Sequence, residues 1–133
     1  IDTGKIKLET LLKNEFFPFF TPPWNRCNQS TIESLIDLGF KGISRSKNAK
    51  PAAPTHFPDL FINIDLHTRK EPQQDEAYTQ LKNEFQSAIE SRYMGIMLHH
   101  QRMNQHAFEL LDTLLLQIKN QSQFHLTSFK SIV

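Results

Sequence analysis

The clearest pattern along the chain is "LFINIDLH", residues 60–67, where Ile62, Ile64 and Leu66 alternate with Asn63, Asp65 and His67. Successive strand residues point to opposite faces, so this period of two predicts a strand with an aliphatic face and a row of polar groups opposite. A second strand is predicted over residues 94–99, "MGIMLH", an apolar run that stops at His99 and His100, with Arg102 close behind. Other segments carry the helical period. In residues 74–92 the apolar stripe is Tyr78, Leu81, Phe85, Ala88 and Ile89. In residues 104–120 it is Ala107, Phe108, Leu111, Leu114, Leu115 and Ile118. Such spacing places one apolar face against a core.

Shorter elements fill the rest. Residues 3–14 predict a short helix with an imperfect apolar face of Ile6, Leu8, Leu11 and Leu12, capped by Thr3. Residues 16–20 are aromatic but interrupted by Pro18, which places any strand there at an edge. Pro22 and Pro23 make the following stretch a loop. Ser30 and Glu33 have the spacing of a capping box, followed by Ile32, Leu35 and Ile36 and a stop at Gly39. Short strands are predicted over residues 40–44 and 124–129, and a polar, proline-containing loop over residues 45–57. Alternating helices and short strands predict βαβ units, hence an α/β fold with mostly parallel short strands and flanking helices.

The length of 133 residues fits one domain, with 38% apolar and 22% charged residues, as in soluble globular proteins. With 15 basic against 14 acidic residues the net charge is +1, which predicts no attraction to nucleic acid or anionic membrane. The one cysteine, Cys27, excludes an internal disulfide and has no CxxC partner, which makes it structural. No apolar run reaches the ~18 residues of a membrane span, and no charged-then-apolar leader stands in this stretch. The first residue is Ile1 rather than Met, and the chain is expected to be part of something longer.

Functional groups in parallel α/β folds gather at the carboxyl ends of strands. Three such ends are polar here: Trp24, Asn25 and Arg26; then Asp65, His67 and Arg69; then His99, His100 and Arg102. Alternation puts His99 on the face of Gly95 and Met97, and His100 on the face of Ile96 and Leu98. The two histidines therefore do not share a metal. Either one of them faces a pocket, or both are strand-end imidazoles held by local hydrogen bonds. Asp65 is either a site carboxylate or a salt-bridge partner of Arg69. Trp24 is either core filler or a platform whose indole face stacks on a sugar ring. Asp65 and His67 would give a metal two ligands, without a third at workable spacing. No serine elbow, phosphate-cradling glycine loop or dinucleotide fingerprint is present.

Three stretches in this order, "FFTPPWNRCNQSTIESLIDLGFKGIS", "LFINIDLH" and "GIMLHH", the last followed by an amphipathic helix, resemble the later half of the polysaccharide deacetylase family. These are the NodB-homology deacetylases, or carbohydrate esterase family four. The resemblance covers most of residues 16–129. It implies part of a distorted (β/α) barrel, with residues 1–133 as the C-terminal part of the domain and the metal-binding N-terminal part absent. It implies a metal-dependent hydrolase that removes acetyl groups from an acetylated carbohydrate. This segment alone would be inactive, and its partner would be the N-terminal half of the same domain. The alternative is a non-catalytic carbohydrate-binding or interaction module derived from that fold.

By the same resemblance His99 would be the catalytic acid and Asp65 the residue that tunes it. Met97 and Leu98 would line the acetyl pocket, and the Trp24 backbone amide would serve as an oxyanion donor. Free imidazole titrates near about 6.5, which suits protonation of a leaving amine at neutral pH. His100 would be structural. The cofactor would be a divalent metal, zinc in most of the family, with no ligands in this segment. The chain departs from the family at several positions. Thr21 stands where the family has an arginine, with Arg26 nearby, and the middle motif lacks its tryptophan. The first two motifs, an Asp-Asp pair and two histidines four or five apart, do not occur.

Overall fold

The computed structural model describes residues 1–66 and 74–133, apart from the side chains of Gln74, Asp75, Ala77, Arg102, His106 and Ala107. The candidate positions His67 and Arg69 lie outside the described residues. The described residues form a mixed α/β structure, with five α-helices and five short strands, all paired in parallel. They divide into two compact units, residues 1–62 with 129–133, and residues 63–128.

The first unit opens with α1 (Asp2–Leu12). Thr3 is not its cap: Ile1 precedes the helix and offers no side-chain bond, while Asp2 in the first turn complements the helix dipole. Lys5 and Glu9 form an i,i+4 ion pair at 2.7 Å. A single 3₁₀ turn, Lys13–Glu15, leads on towards β1 (Phe19–Phe20).

Helix α2 (Gln29–Asp37) starts one residue before the predicted capping box. Its cap is Asn28, whose Oδ1 accepts from the Thr31 backbone N–H and from the Ser30 and Thr31 hydroxyls, each at 2.8 Å. Glu33 accepts instead from Gln29 Nε2 at 3.1 Å. The helix ends as predicted: Gly39 has φ 74°, the Phe40 N–H donates to the Leu35 carbonyl, and the Gly39 N–H donates to that of Ile36. That pair of bonds is the Schellman arrangement, and it needs a left-handed residue.

β2 (Gly42–Ser46) lies between β1 and β3 (Asp59–Ile62), with Phe19 opposite Gly42 and Ile43 opposite Asp59. The strand sits two residues later than expected, which takes Arg45 out of the predicted loop. Gly42 permits the close approach: a Cβ there would run into the Phe19 ring and lie 2.8 Å from the Pro58 carbonyl oxygen. Ile32, Leu35, Ile43 and Phe57 form the core, flanked by Phe20, Ile36 and Phe40. Burying each such side chain stabilises by ~1.5–3 kcal/mol. No strand forms over residues 124–129. The C-terminal element is instead α5 (Phe129–Ile132), and the Phe129 ring stacks on Phe19 with centroids 4.2 Å apart. Ring stacking over a distant part of the sequence outweighs local strand preference there.

The second unit is a βαβ arrangement. β4 (Ile64–Asp65) pairs in parallel with β5 (Ile96–Met97), and α3 (Gln74–Glu90) lies between them in the chain. α4 (Gln105–Lys119) follows a 3₁₀ turn, His100–Arg102. Ile64, Ala88 and Ile118 are buried. Leu81, Phe85, Leu111, Leu114 and Leu115 are half-buried, whereas Tyr78, Ile89 and Phe108 of the expected stripes are exposed. The predicted strand over residues 60–67 is interrupted at Asn63, so β3 and β4 belong to separate sheets.

Candidate functional site

The site begins with a register. Ile64 lies opposite Ile96, and Asp65 opposite Met97. The Leu66 N–H donates to the Met97 carbonyl at 3.3 Å. Beyond Met97 the chain runs through Leu98 and His99 and turns at His100–Arg102. Asp65 and His99 thus stand at the carboxyl ends of two neighbouring parallel strands.

The two side chains meet, with His99 Nε2 3.7 Å from Asp65 Oδ1, and each is about one-third exposed, at 36% and 32%. This is an ion pair when the imidazole is protonated. A pair reached by water on one side and held by protein on the other can exchange protons with a bound molecule. Met97 is half-buried in β5, Leu98 is 42% exposed, and His100 is exposed at the start of the turn.

Trp24 belongs to the first unit. It is 80% exposed, so it is not core filler. It sits in the 3₁₀ turn Pro23–Asn25 with φ 57° and ψ 21°, and Asn25 follows with φ 56°. Two consecutive left-handed non-glycine residues are costly and persist only where the surroundings hold them. Here Pro22 is buried and Asn25 Oδ1 accepts the Ser46 backbone N–H at 3.1 Å. The loop is tied to the end of β2 with its indole turned to solvent.

Among the described residues no three His, Cys, Asp or Glu side chains are grouped to hold a metal. Asp65 and His99 supply two donors turned towards each other, which is not the ligand set of a zinc centre. No helix among the described residues is long and apolar enough to cross a membrane.

Two polar features were not legible in the sequence. Arg45, fully buried in β2, donates from Nε and Nη2 to Asp59 Oδ2 at 3.0 and 2.6 Å. It also donates to Cys27 Sγ at 3.3 Å and to the Pro51 carbonyl at 2.7 Å. The other is Asn63, whose side chain bonds across 30 and 32 residues to the backbone around Gly95. The one signal for Arg45 was its place two residues after Ile43, on the same side of a strand. No protein-family model matches the chain, and no curated protein or solved structure does either.

Proposed function

We propose that the chain is part of a hydrolase that removes acetyl groups from an acetylated carbohydrate, built on a distorted (β/α) barrel of the polysaccharide deacetylase type. The observation that carries the reading is the Asp65–His99 pair at the ends of adjacent parallel strands, 3.7 Å apart and part-exposed. In this reading water adds to the acetyl carbon, its surplus proton passing to solvent, and the bond from that carbon to the sugar nitrogen or oxygen breaks. The leaving atom takes a proton from His99. Nε2 faces Asp65, and the Asp65 carboxylate stabilises the charged imidazole while it waits. Met97 and Leu98, next to His99 in the chain, are proposed to contact the acetyl methyl. The divalent metal of the resemblance finds no ligand set among the described residues, and no step is derived through it.

Trp24 favours a second reading. An indole 80% exposed on a tied, left-handed turn suits stacking on the apolar face of a pyranose, with or without chemistry nearby. In that reading the chain is a non-catalytic carbohydrate-binding module.

Acetate release from an acetylated sugar oligomer by the full-length protein separates the two. His99→Ala is expected to lower release by about a hundredfold or more, the usual general-acid contribution. His100→Ala should leave it near wild type. Equal release by His99→Ala and wild type removes His99 from the mechanism. Trp24 is the sole tryptophan, so its fluorescence reports its own surroundings. Quenching by the sugar with no acetate released by the wild type establishes the binding module instead.

A further inference from the structure

We infer that the Asn63 carboxamide is a positioning device for the Asp65–His99 pair: it clamps the backbone around Gly95 and so sets the β4–β5 register. The inference deepens the proposed reading, because it rests on that pair being the working site.

The ladder between these strands is only two residues long on each side. The Asn63 and Ile64 N–H groups both donate to the Gly95 carbonyl at 3.1 Å, and the Leu66 N–H donates to the Met97 carbonyl at 3.3 Å. The Gly95 N–H donates to the Asn63 side chain, reaching Oδ1 at 2.9 Å. Asn63 Nδ2 donates in turn to the Tyr93 carbonyl at 2.9 Å. A carboxamide is a peptide group carried on a side chain. Here it takes both polar groups that a longer neighbouring strand would have taken.

The apolar pattern does not fix the register. Met94, Ile96, Met97 and Leu98 place apolar side chains on both faces of β5. Register is weakly specified where one face is not distinguished from the other, and a slip of one residue sends every side chain to the opposite face. With such a slip Asp65 would lie opposite Ile96 or Leu98, and His99 would project from the wrong side. The same slip breaks both bonds of the Asn63 fork. Asn63 lies two residues before Asp65 and touches neither Asp65 nor His99 in these bonds, so it acts through the backbone.

The test uses ¹⁵N-labelled protein as wild type, Asp65→Asn, Asn63→Ala and Asn63→Asp. Two signatures are read above the imidazole titration. One is the ratio of the Nε2–H to the Nδ1–H tautomer of His99, from long-range proton–nitrogen correlation. The other is the cross-strand proton contact between Ile64 and Ile96. The wild type should favour Nε2–H, the form whose N–H dipole faces the Asp65 carboxylate across 3.7 Å. Asp65→Asn and Asn63→Ala should each lower the ratio, by about twofold to fivefold, the size of a part-exposed charge interaction. Asn63→Ala should also weaken the Ile64–Ile96 contact, which Asp65→Asn should not. Asn63→Asp keeps the acceptor for Gly95 and loses the donor to Tyr93, and should fall between; it decides the matter if Asn63→Ala does not fold. A folded Asn63 variant that melts lower but keeps the wild-type tautomer ratio and contact overturns the inference. Neither signature depends on turnover, so absence of acetate release with these shifts present would sink only the deacetylase reading.

Discussion

Arg45 and Asp59 form an ion pair with unequal surroundings. The Arg45 side chain has no solvent exposure, while that of Asp59 keeps 29%, although its Oδ1 is buried and makes no hydrogen bond. Burial disfavours the charged guanidinium, but the hydrogen bond and charge of Asp59, with Cys27 adding to them, outweigh it and hold Arg45 above its ordinary value. Removing either partner is therefore not symmetric. Asp59→Ala strands a buried cation and should cost ~3–5 kcal/mol, the range for breaking a buried pair. Arg45→Met leaves an aspartate whose side chain is 29% exposed and can turn towards water, and should cost less. Urea denaturation of the two variants checks the order, and a larger loss from Arg45→Met contradicts it. Tyr93 is perturbed more simply, because burial pushes its phenol above the ordinary value. The neutral form is then favoured by folding. Its contribution to stability is complete below the unfolded value near about 10 and is lost as pH climbs through the folded one. Tyr78→Phe leaves Tyr93 as the only tyrosine of the original two. Tyrosinate absorbance in that variant should rise at higher pH when folded than in urea; coincident curves would contradict the burial argument.

Helix α2 shows how an element end is decided. Asn28 Oδ1 receives three donors, whereas the Ser30 hydroxyl makes one bond, to Asn28 itself. Asn28→Ala should cost ~1 kcal/mol, as N-cap losses do, and Ser30→Ala only a few tenths. Thermal melts of the two variants check this, and equal shifts would restore Ser30 as the cap. The sequence pointed to the correct end of this helix because Gly39 answers a local steric demand. It misplaced the start because two acceptors, Asn28 and Ser30, stood close enough to compete. "LFINIDLH" was legible as strand because alternation is local. Its division at Asn63 was not, since the interruption comes from bonds to Tyr93 and Gly95 about thirty residues away. Phe129 was misread for the same kind of reason: its partner is Phe19, at the other end of the chain. The Asp65–His99 meeting followed from strand alternation and parallel pairing, both readable. Arg45 hid in a stretch whose polar residues read as a loop.

At the scale of the molecule, the α/β class was visible in the alternation of helices and short strands. How much apolar surface those elements cover was not. Among the described residues the fully or nearly buried apolar side chains are Ile32, Leu35, Ile43 and Phe57 in one unit and Ile64, Ala88 and Ile118 in the other. Against these stand exposed apolar groups, of which Leu8, Leu11 and Leu12 are spaced to share one face of α1. Ile6, Leu8, Leu11 and Leu12 of α1 are 46–66% exposed, and α1 buries no residue. Phe108, Leu110 and Leu116 of α4 are 44–52% exposed. Contiguous exposed apolar surface favours association. The net charge of +1 supplies almost no repulsion to oppose it. The chain is therefore expected to self-associate as its concentration rises from micromolar to hundreds of micromolar, read by sedimentation velocity. Leu8→Glu with Leu11→Lys should shift the distribution towards monomer with little change in melting temperature, because both side chains are exposed and neither belongs to a buried core. A wild-type chain that stays a single monomeric species throughout that range would show that these faces do not drive association.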